Sequence, residues 1–411
     1  MSPPRLLALE VPSGSAAVAV LPRVEAALDG SGPALLPYAA GSPAPGTSGT
    51  AAGSGEAEPR LPDGLAIVVG TSGSTGRPKL ALLTARALWA SAQATHRRLG
   101  GPGGWVLALP AHHVAGIQVL VRSVLSGVAP LAVDTGGGFT AAAFAATTAR
   151  LTGPGRHYTA LVPTQLGRLL RDADGAAALR RYDAVLVGAA TAPAALLAEA
   201  ERQEVRVVTT YGMSETAGGC VYDGVPLDCS AYRLDGTGRI ELGGDTLAEG
   251  YLGEAALTAA AFTRDDDPGV DAGPAWFRTD DIGFRDDHGR LVVEGRVDDL
   301  ITTGGLKVSP RLVEHAVLAH LTGVREALVV GVDDPEWGQR VGLAVVLPDR
   351  AVAPTVADLR ARLRDILPAH AIPTRVVALP RLPFLGPGKP DRASVSTALS
   401  ALAAEGGTMG H

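Results

Sequence analysis

Residues Leu65–Lys79 read LAIVVGTSGSTGRPK, an apolar run that breaks at Gly70 into three glycines and four hydroxyl residues within seven positions. The run Leu65–Val69 is short and continuously apolar, which predicts a buried strand. The tract after it, Thr71, Ser72, Gly73, Ser74, Thr75 and Gly76, lets the backbone turn tightly and aim N–H groups and hydroxyls at an anion. Pro78 and Lys79 close the loop with a cation. A Walker A loop needs Lys and then Ser or Thr directly after its last glycine, whereas Arg77-Pro78-Lys79 follows Gly76, so a P-loop nucleoside triphosphatase is disfavoured. A TSGSTG string on its own is more often a plain flexible turn. Its place behind a buried strand favours phosphate binding.

Working outward, similar apolar runs recur at Trp105–Leu109, Ala184–Val187 and Val205–Thr209, with helical patterns at Thr84–Leu99 and Ala192–Gln203. Strand and helix alternating in this way predict an α/β domain built on a largely parallel sheet. From about Gly238 the stretches GRIELGG and GRLVVEGR alternate in polarity, with a turn signal at Asp287-His288-Gly289, and predict a small antiparallel subdomain. Near Asp298 a third regime begins: helices at Pro310–Leu321 and Val356–Leu367, strands at Ala327–Val332, Gly342–Leu347 and Arg375–Leu379. That is a small α+β domain, set off by the charged GRVDD at Gly295–Asp299. The expected division is an N-terminal domain over 1–297, a C-terminal domain over 298–400 and a tail over 401–411. Within the first, 41–60 has no aromatic and no aliphatic side chain larger than Ala and is expected to be disordered.

Composition narrows the function classes. The 411 residues are 46% hydrophobic and 19% charged, enough to bury sizeable cores. Thirty-six Lys and Arg against 42 Asp and Glu give a net charge of −6, so no global basic field attracts nucleic acid or an anionic membrane. Cys220 and Cys229 cannot make a disulfide scaffold, and no CxxC pair suggests zinc. No run of about 18 apolar residues would span a membrane. The first ten residues carry only Arg5 as a basic group, unlike a secretory signal. A cytoplasmic, multi-domain protein is expected, with the oligomeric state open and a homodimer among the options.

Three further motifs carry chemistry. Tyr211-Gly-Met-Ser-Glu-Thr216 follows the strand VVTT. There the Glu215 carboxylate is placed to hold Mg²⁺ beside a nucleotide, and the aromatic ring to stack on a base. Standing alone, Glu215 would read as a solvated loop acid. Trp276–Gly283 (WFRTDDIG) is followed by Gly295–Asp299 (GRVDD), where an Asp could accept from ribose hydroxyls and an Arg could reach ribose or phosphate. Each alone is more often a turn acid or a surface ion pair. Gly386–Arg392 (GPGKPDR) puts Lys389 in a Gly/Pro loop, where a lysine matters only if the small domain delivers it to a distant site.

These motifs, in this order over roughly residues 62–395, resemble the adenylate-forming superfamily of acyl-CoA synthetases, peptide-synthetase adenylation domains and luciferases. The resemblance implies ATP, Mg²⁺ and coenzyme A as co-substrates, and two half-reactions: acyl-adenylate formation, then thioester formation. It implies that Thr71–Gly76 and Lys79 hold phosphates, that Tyr211 stacks on adenine, and that Gly188, Gly212 and Ser214 line the nucleotide. Ser214 replaces the usual Thr of the YGxTE motif and keeps the hydroxyl. Glu215 would ligate Mg²⁺ and serve catalysis, Asp281 would bind ribose, and Arg296 would contact the nucleotide. Asp280 stands where the superfamily has Gly, and Ala189 stands where Gly-Gly-Ala is usual. Asp298 corresponds to the hinge about which the small domain turns, Lys389 to the catalytic lysine of adenylation, and Gly304-Gly305 to the coenzyme A channel, with Lys307 nearby.

Pro110-Ala-His-His-Val-Ala-Gly116 resembles the superfamily's PxxHxxG, which implies that His113 and Gly116 line the acyl pocket and that His113 takes part in catalysis. The His112-His113 pair, Gln118, Arg122 and the short N-terminal region are similar to the o-succinylbenzoate–CoA ligase group of menaquinone biosynthesis. In that case Arg122 is a candidate to neutralise the second carboxylate, against an ordinary surface arginine. The alternatives are a ligase for another aryl or medium-chain acid, a stand-alone adenylation domain loading a carrier protein, and a nucleotide-binding protein without catalysis. All expect no nucleic-acid partner.

Overall fold

The computed structural model describes residues 5–45, 61–71, 79–153, 155–265, 274–348, 351–386 and 389–406. Ser72, Gly73, Ser74, Thr75 and Gly76 of the expected phosphate loop, and 46–60 of the expected disordered segment, lie outside the described residues. The chain forms two compact units, Met1–Arg233 with Glu241–Thr279, and Leu234–Ile240 with Asp280–His411.

In the first unit, strands Leu6–Val11 (β1), Ala34–Ala39 (β2), Leu65–Gly70 (β3) and Leu80–Thr84 (β4) form a sheet in that order. β1, β2 and β3 run parallel, and β4 returns antiparallel to β3. β4 was not expected from sequence. Its LALLT stretch passes without a turn into the helix Ala85–Leu99, whose first turn is capped by Thr84 Oγ1 accepting from the Ala87 N–H at 3.2 Å.

The second sheet is largely parallel. Its strands Gly103–Leu107 (β5), Leu131–Ala132 (β6), Arg156–Leu161 (β7), Ala184–Val187 (β8) and Val207–Met213 (β9) align in parallel. Gly218–Tyr222 (β10) and Val225–Pro226 (β11) complete one edge in antiparallel fashion, for the order β11-β10-β9-β8-β7-β5-β6. Helices Leu21–Leu28 (α1), Ala85–Leu99 (α2) and Val114–Ser126 (α3) lie between the sheets, because one core joins Val24, Leu88, Ile117 and Leu120 to Ile67 and Leu83 on one side and Trp105 and Leu107 on the other. Val106 and Ala108 point the opposite way, into a second core with Phe144, Leu166 and Leu169 from helices Ala141–Ala149 (α4) and Pro163–Leu170 (α5). The period-2 alternation along β5 thus feeds two cores. Helices Ala173–Leu179 (α6) and Ala194–Arg202 (α7) complete that face.

The expected antiparallel region is present: Phe262–Arg264 pairs with the start of Ala275–Arg285, and Leu291–Arg296 pairs with its end. In the second unit, Glu326–Asp334 and Gly338–Val346 form one long antiparallel hairpin, registered from Glu326↔Val346 to Asp334↔Gly338. Both strands run longer than the sequence pattern predicts. Asp334 carries the extension by accepting from the N–H groups of Glu336 and Trp337 at 3.1 and 3.0 Å, an Asx turn. Helices Pro310–His320 and Val356–Leu363 cover one sheet face through Val313, Val317 and Leu359, and Val395 and Leu399 of Arg392–Gly406 cover the other.

Candidate active site

The phosphate-loop motif joins β3 to β4, two antiparallel strands, and the Thr71 N–H donates to the Lys79 carbonyl at 2.8 Å across its base. The hairpin's sheet hydrogen bonds therefore extend to the loop's two ends. Lys79 aims its ammonium at the face of Tyr251, 5.3 Å from the ring centroid. The Tyr251 hydroxyl donates to Glu215 Oε1 at 2.8 Å. One side chain thus touches the cation of the phosphate loop and the carboxylate of the YGxTE-like motif.

Glu215 lies in a short 3₁₀ turn, Ser214–Thr216, between β9 and β10. Only 7% of it is exposed, so it is no solvated loop acid. The turn is held from several sides. The Ala248 N–H donates to the Glu215 carbonyl at 2.8 Å, Ser214 Oγ to the Gly70 carbonyl at 3.4 Å, and Gln118 Nε2 to the Ala217 carbonyl at 2.7 Å. Among the described residues no cluster of three or more His, Cys, Asp or Glu side chains could hold a metal by itself. A single buried carboxylate suits Mg²⁺ arriving with nucleotide phosphates, since that ion takes one or two carboxylates plus phosphate and water oxygens.

Gly188 directly follows β8, and a Cβ there would drive well inside contact distance of Thr210 Oγ1 on β9. Only glycine fits there. Ala189 follows at φ +64°, a left-handed backbone conformation that its Cβ disfavours. The glycine usual in the superfamily is missing at a position whose backbone still needs it. Tyr211 and Gly212 lie on β9, adjacent to Glu215 in the chain.

The spacing of PAHHVAG has a packing cause. The His113 N–H donates to the Pro110 carbonyl at 3.2 Å, and α3 starts directly after His113. At Gly116 a Cβ would collide with that carbonyl, so the first helical turn can seat on the loop only through glycine. The His112 and His113 rings lie 4.3 Å apart, tilted by 47°. Burial and the neighbouring His113 pull the His112 pKa down to about 4, and burial lowers that of His113. Both are therefore neutral near pH 7.

Arg122 is only 3% exposed, which excludes the surface-arginine reading. Nor does the structure bring it together with His113. Nine residues of helix place it roughly 13 Å further along and half a turn round. Its Nη2 donates to Tyr222 Oη at 3.3 Å, and its guanidinium carbon lies 5.0 Å from the Trp105 ring centroid. These are the contacts of a buried cation, held by a phenol and an indole face.

In the second unit, Asp281 registers opposite Arg296 across the β-hairpin. Asp280 joins two cations, with Arg239 at 2.6 Å and Arg296 at 3.2 Å. It lies within the strand Ala275–Arg285 and holds no left-handed backbone conformation, so replacing the superfamily's glycine leaves the backbone there unstrained. Asp298 lies 3.6 Å from Arg296. Burial opposes the charge on Arg296, yet Asp281, Asp280, Asp298 and Asp299 together raise its pKa above the usual value. Gly304 and Gly305 form the turn between short strands Ile301–Thr303 and Leu306–Val308, with the Gly304 N–H donating to the Trp337 carbonyl at 2.9 Å. Lys307 Nζ donates to Thr302 Oγ1 at 2.7 Å. Lys389 begins a two-residue strand paired with Phe384–Gly386. Tyr251 is the site residue that sequence reasoning missed; its only signal was an aromatic between Gly250 and Leu252.

The AMP-binding enzyme family matches residues 15–247, and the AMP-binding enzyme C-terminal domain matches 312–389. The chain belongs to this family. It is 44% identical over 390 residues to a probable 2-succinylbenzoate–CoA ligase of Mycobacterium tuberculosis, covering 94% of this chain and 97% of that protein. A sulfoacetate–CoA ligase of Cupriavidus necator is 33% identical, covering 81% and 67% of the two chains. Among solved structures, the o-succinylbenzoate coenzyme A synthetase of Bacillus subtilis in complex with AMP matches with a TM-score of 0.66 at 26% identity, over 83% of this chain and 70% of that one. This chain spans nearly all of the M. tuberculosis protein, but 68% of a 2-succinylbenzoate–CoA ligase of Listeria monocytogenes.

Proposed function

We propose that this protein is an ATP-dependent acid–CoA ligase acting on 2-succinylbenzoate. A substrate carboxylate oxygen attacks the α-phosphorus of ATP, forming the acyl-adenylate as pyrophosphate leaves. The thiolate of coenzyme A then adds to the acyl carbon and AMP departs. The observation that carries the chemistry is the Lys79–Tyr251–Glu215 grouping at the end of β9, a cation and a buried carboxylate fixed by one phenol. Such preorganised charge stabilises what develops on the phosphates. Mg²⁺, when bound with ATP, supplies Lewis-acid polarisation of phosphate oxygens. Glu215 would hold it, and Lys79 would meet phosphate oxygens.

The near full-length 44% identity supports the named acid. The resemblance to the o-succinylbenzoate group then places the reaction in menaquinone biosynthesis, and its co-substrates ATP and coenzyme A favour a cytoplasmic location. No described helix is long and apolar enough to cross a membrane. His113 and Gly116 are proposed as acyl-pocket residues, Tyr211, Gly188, Gly212 and Ser214 as nucleotide contacts, and Asp281 and Arg296 as ribose and nucleotide contacts. Lys389 is proposed as the adenylation lysine, Asp298 as the hinge, and Gly304-Gly305 as the thiol channel.

A second reading, a ligase for another acid, is favoured by the sulfoacetate relative, whose named substrate also carries a second anionic group. Pyrophosphate release decides between them, measured with 2-succinylbenzoate, sulfoacetate, benzoate and hexanoate, without and then with coenzyme A. The proposal expects 2-succinylbenzoate to be preferred and a free thioester to form. Preference for another acid removes the named substrate, and adenylate without free thioester indicates loading of a carrier protein instead.

A further inference from the structure

We propose that Tyr251 is a positioning residue for adenylation, its ring a platform for the Lys79 ammonium and its hydroxyl the clamp on one oxygen of Glu215. The inference rests on the reading that this site binds magnesium–ATP. Tyr251 reaches both groups because its backbone is laid along β4, the strand that begins just after Lys79. The Leu82 N–H donates to the Gly250 carbonyl at 2.9 Å, the Leu252 N–H to the Leu80 carbonyl at 2.8 Å, and Ala81 and Tyr251 form an isolated antiparallel bridge. The Tyr251 N–H is satisfied by Thr258 Oγ1 at 2.9 Å. Edge-on packing of Phe262, with centroids 5.6 Å apart at 67°, fixes the ring, and only 5% of the residue is exposed.

The same chain segment also anchors Glu215 through the backbone, since the Ala248 N–H donates to the Glu215 carbonyl. One five-residue stretch, Ala248–Leu252, therefore sets the spacing between the base of the phosphate loop and the carboxylate. A buried phenol donating to a carboxylate is a charge-assisted bond, stronger than a neutral one. A carboxylate offers about four acceptor sites, and this bond fixes the orientation of one Glu215 oxygen, the kind of ligand a hard cation takes. The ring face attracts the ammonium from about 6 Å or closer and holds it while leaving its N–H donors available to phosphate oxygens.

Hydroxyl and ring are separable by substitution. Tyr251→Phe keeps the platform and removes the clamp; Tyr251→Leu removes both. Binding of ATP to each variant is measured by calorimetry with magnesium and with EDTA, beside the KM and kcat of pyrophosphate release and the Tm. For Tyr251→Phe, the expected result is binding of magnesium–ATP weakened by about tenfold, the scale of a hydrogen bond to a charged group. Its binding of metal-free ATP is expected to stay within about twofold, a difference of some 0.4 kcal/mol. For Tyr251→Leu, metal-free ATP binding is also expected to weaken severalfold. Wild-type magnesium dependence in Tyr251→Phe overturns the proposal, and so do equal losses with and without magnesium, which indicate packing alone. If Tyr251→Leu fails to fold, Tyr251→Phe still decides. If the wild-type protein binds no magnesium–ATP, the reading of the site itself fails, and this inference with it.

Discussion

The Glu215 turn and the Asp280–Asp299 stretch both gather charge near the expected nucleotide contacts, but by opposite means. At Glu215 one carboxylate is nearly excluded from solvent and is met by the phenol of Tyr251, while Ala248 and Gln118 pin the backbone of its turn and Ser214 ties it to Gly70. In the second unit, four aspartates surround Arg296, and Asp280 is shared between Arg239 and Arg296 on a half-exposed hairpin. A desolvated carboxylate makes each of its partners count, because a lost bond leaves a buried charge uncompensated. A half-exposed, many-partnered network is redundant and screened by water. The two regions therefore differ in how steeply they should respond to change.

The sharpest way to break that contrast is Glu215→Gln. Loss of one preorganised charge at the phosphates should cut the rate of pyrophosphate release by about 10²–10³-fold. A loss below tenfold would put Glu215 outside the chemistry. Acid provides the next test. His96 accepts a hydrogen bond from Trp105 Nε1 at 3.3 Å, and burial, with the Arg122 cation beside it, pulls its pKa down to about 4. In the unfolded chain a histidine titrates near 6.5, so the fold favours the neutral ring. The stability this contributes is present above about pH 6.5 and is lost as pH falls towards 4, at most about 3 kcal/mol. Denaturant unfolding at pH 7, 5.5 and 4.5 should show a shallower acid loss in His96→Gln than in the wild type; equal slopes would refute the burial argument.

Gly116→Ala tests the tight seat of α3 on the Pro110 carbonyl. The added methyl should cost roughly 1–3 kcal/mol of unfolding free energy, as overpacking does. An unchanged denaturation midpoint would show that the loop yields freely. The smallest effect belongs to the redundant network: Asp280→Asn should change stability by less than about 1 kcal/mol, read from the same unfolding curves. A larger loss would erase the contrast between the regions.

How legible each region was follows from the range of its interactions. The strand before the phosphate loop declares itself by an unbroken apolar run, and Glu215 by its place at the end of another strand. The burial of Glu215 was not legible, because it depends on Tyr251 and Ala248, more than thirty residues away and brought in along β4. β4 itself was hidden because strand and helix abut at Thr84 with no turn residue between them. Arg122 reads as a surface residue in any one-dimensional pattern, since its burial comes from Trp105 and Tyr222 on other elements. The long hairpin ending at Asp334 and Gly338 exceeds its apolar stretch, because an Asx turn and cross-strand pairing extend it past the point where hydrophobicity stops.

The central claim is that a carboxylate oxygen of the acid bonds to the α-phosphorus of ATP. Oxygen-18 placed in both carboxylates of 2-succinylbenzoate tests it directly, by mass spectrometry of the nucleotide released when coenzyme A is present. The adenylate route leaves one labelled oxygen on AMP and none on pyrophosphate. Unlabelled AMP, or label recovered in inorganic phosphate alongside ADP, would contradict it.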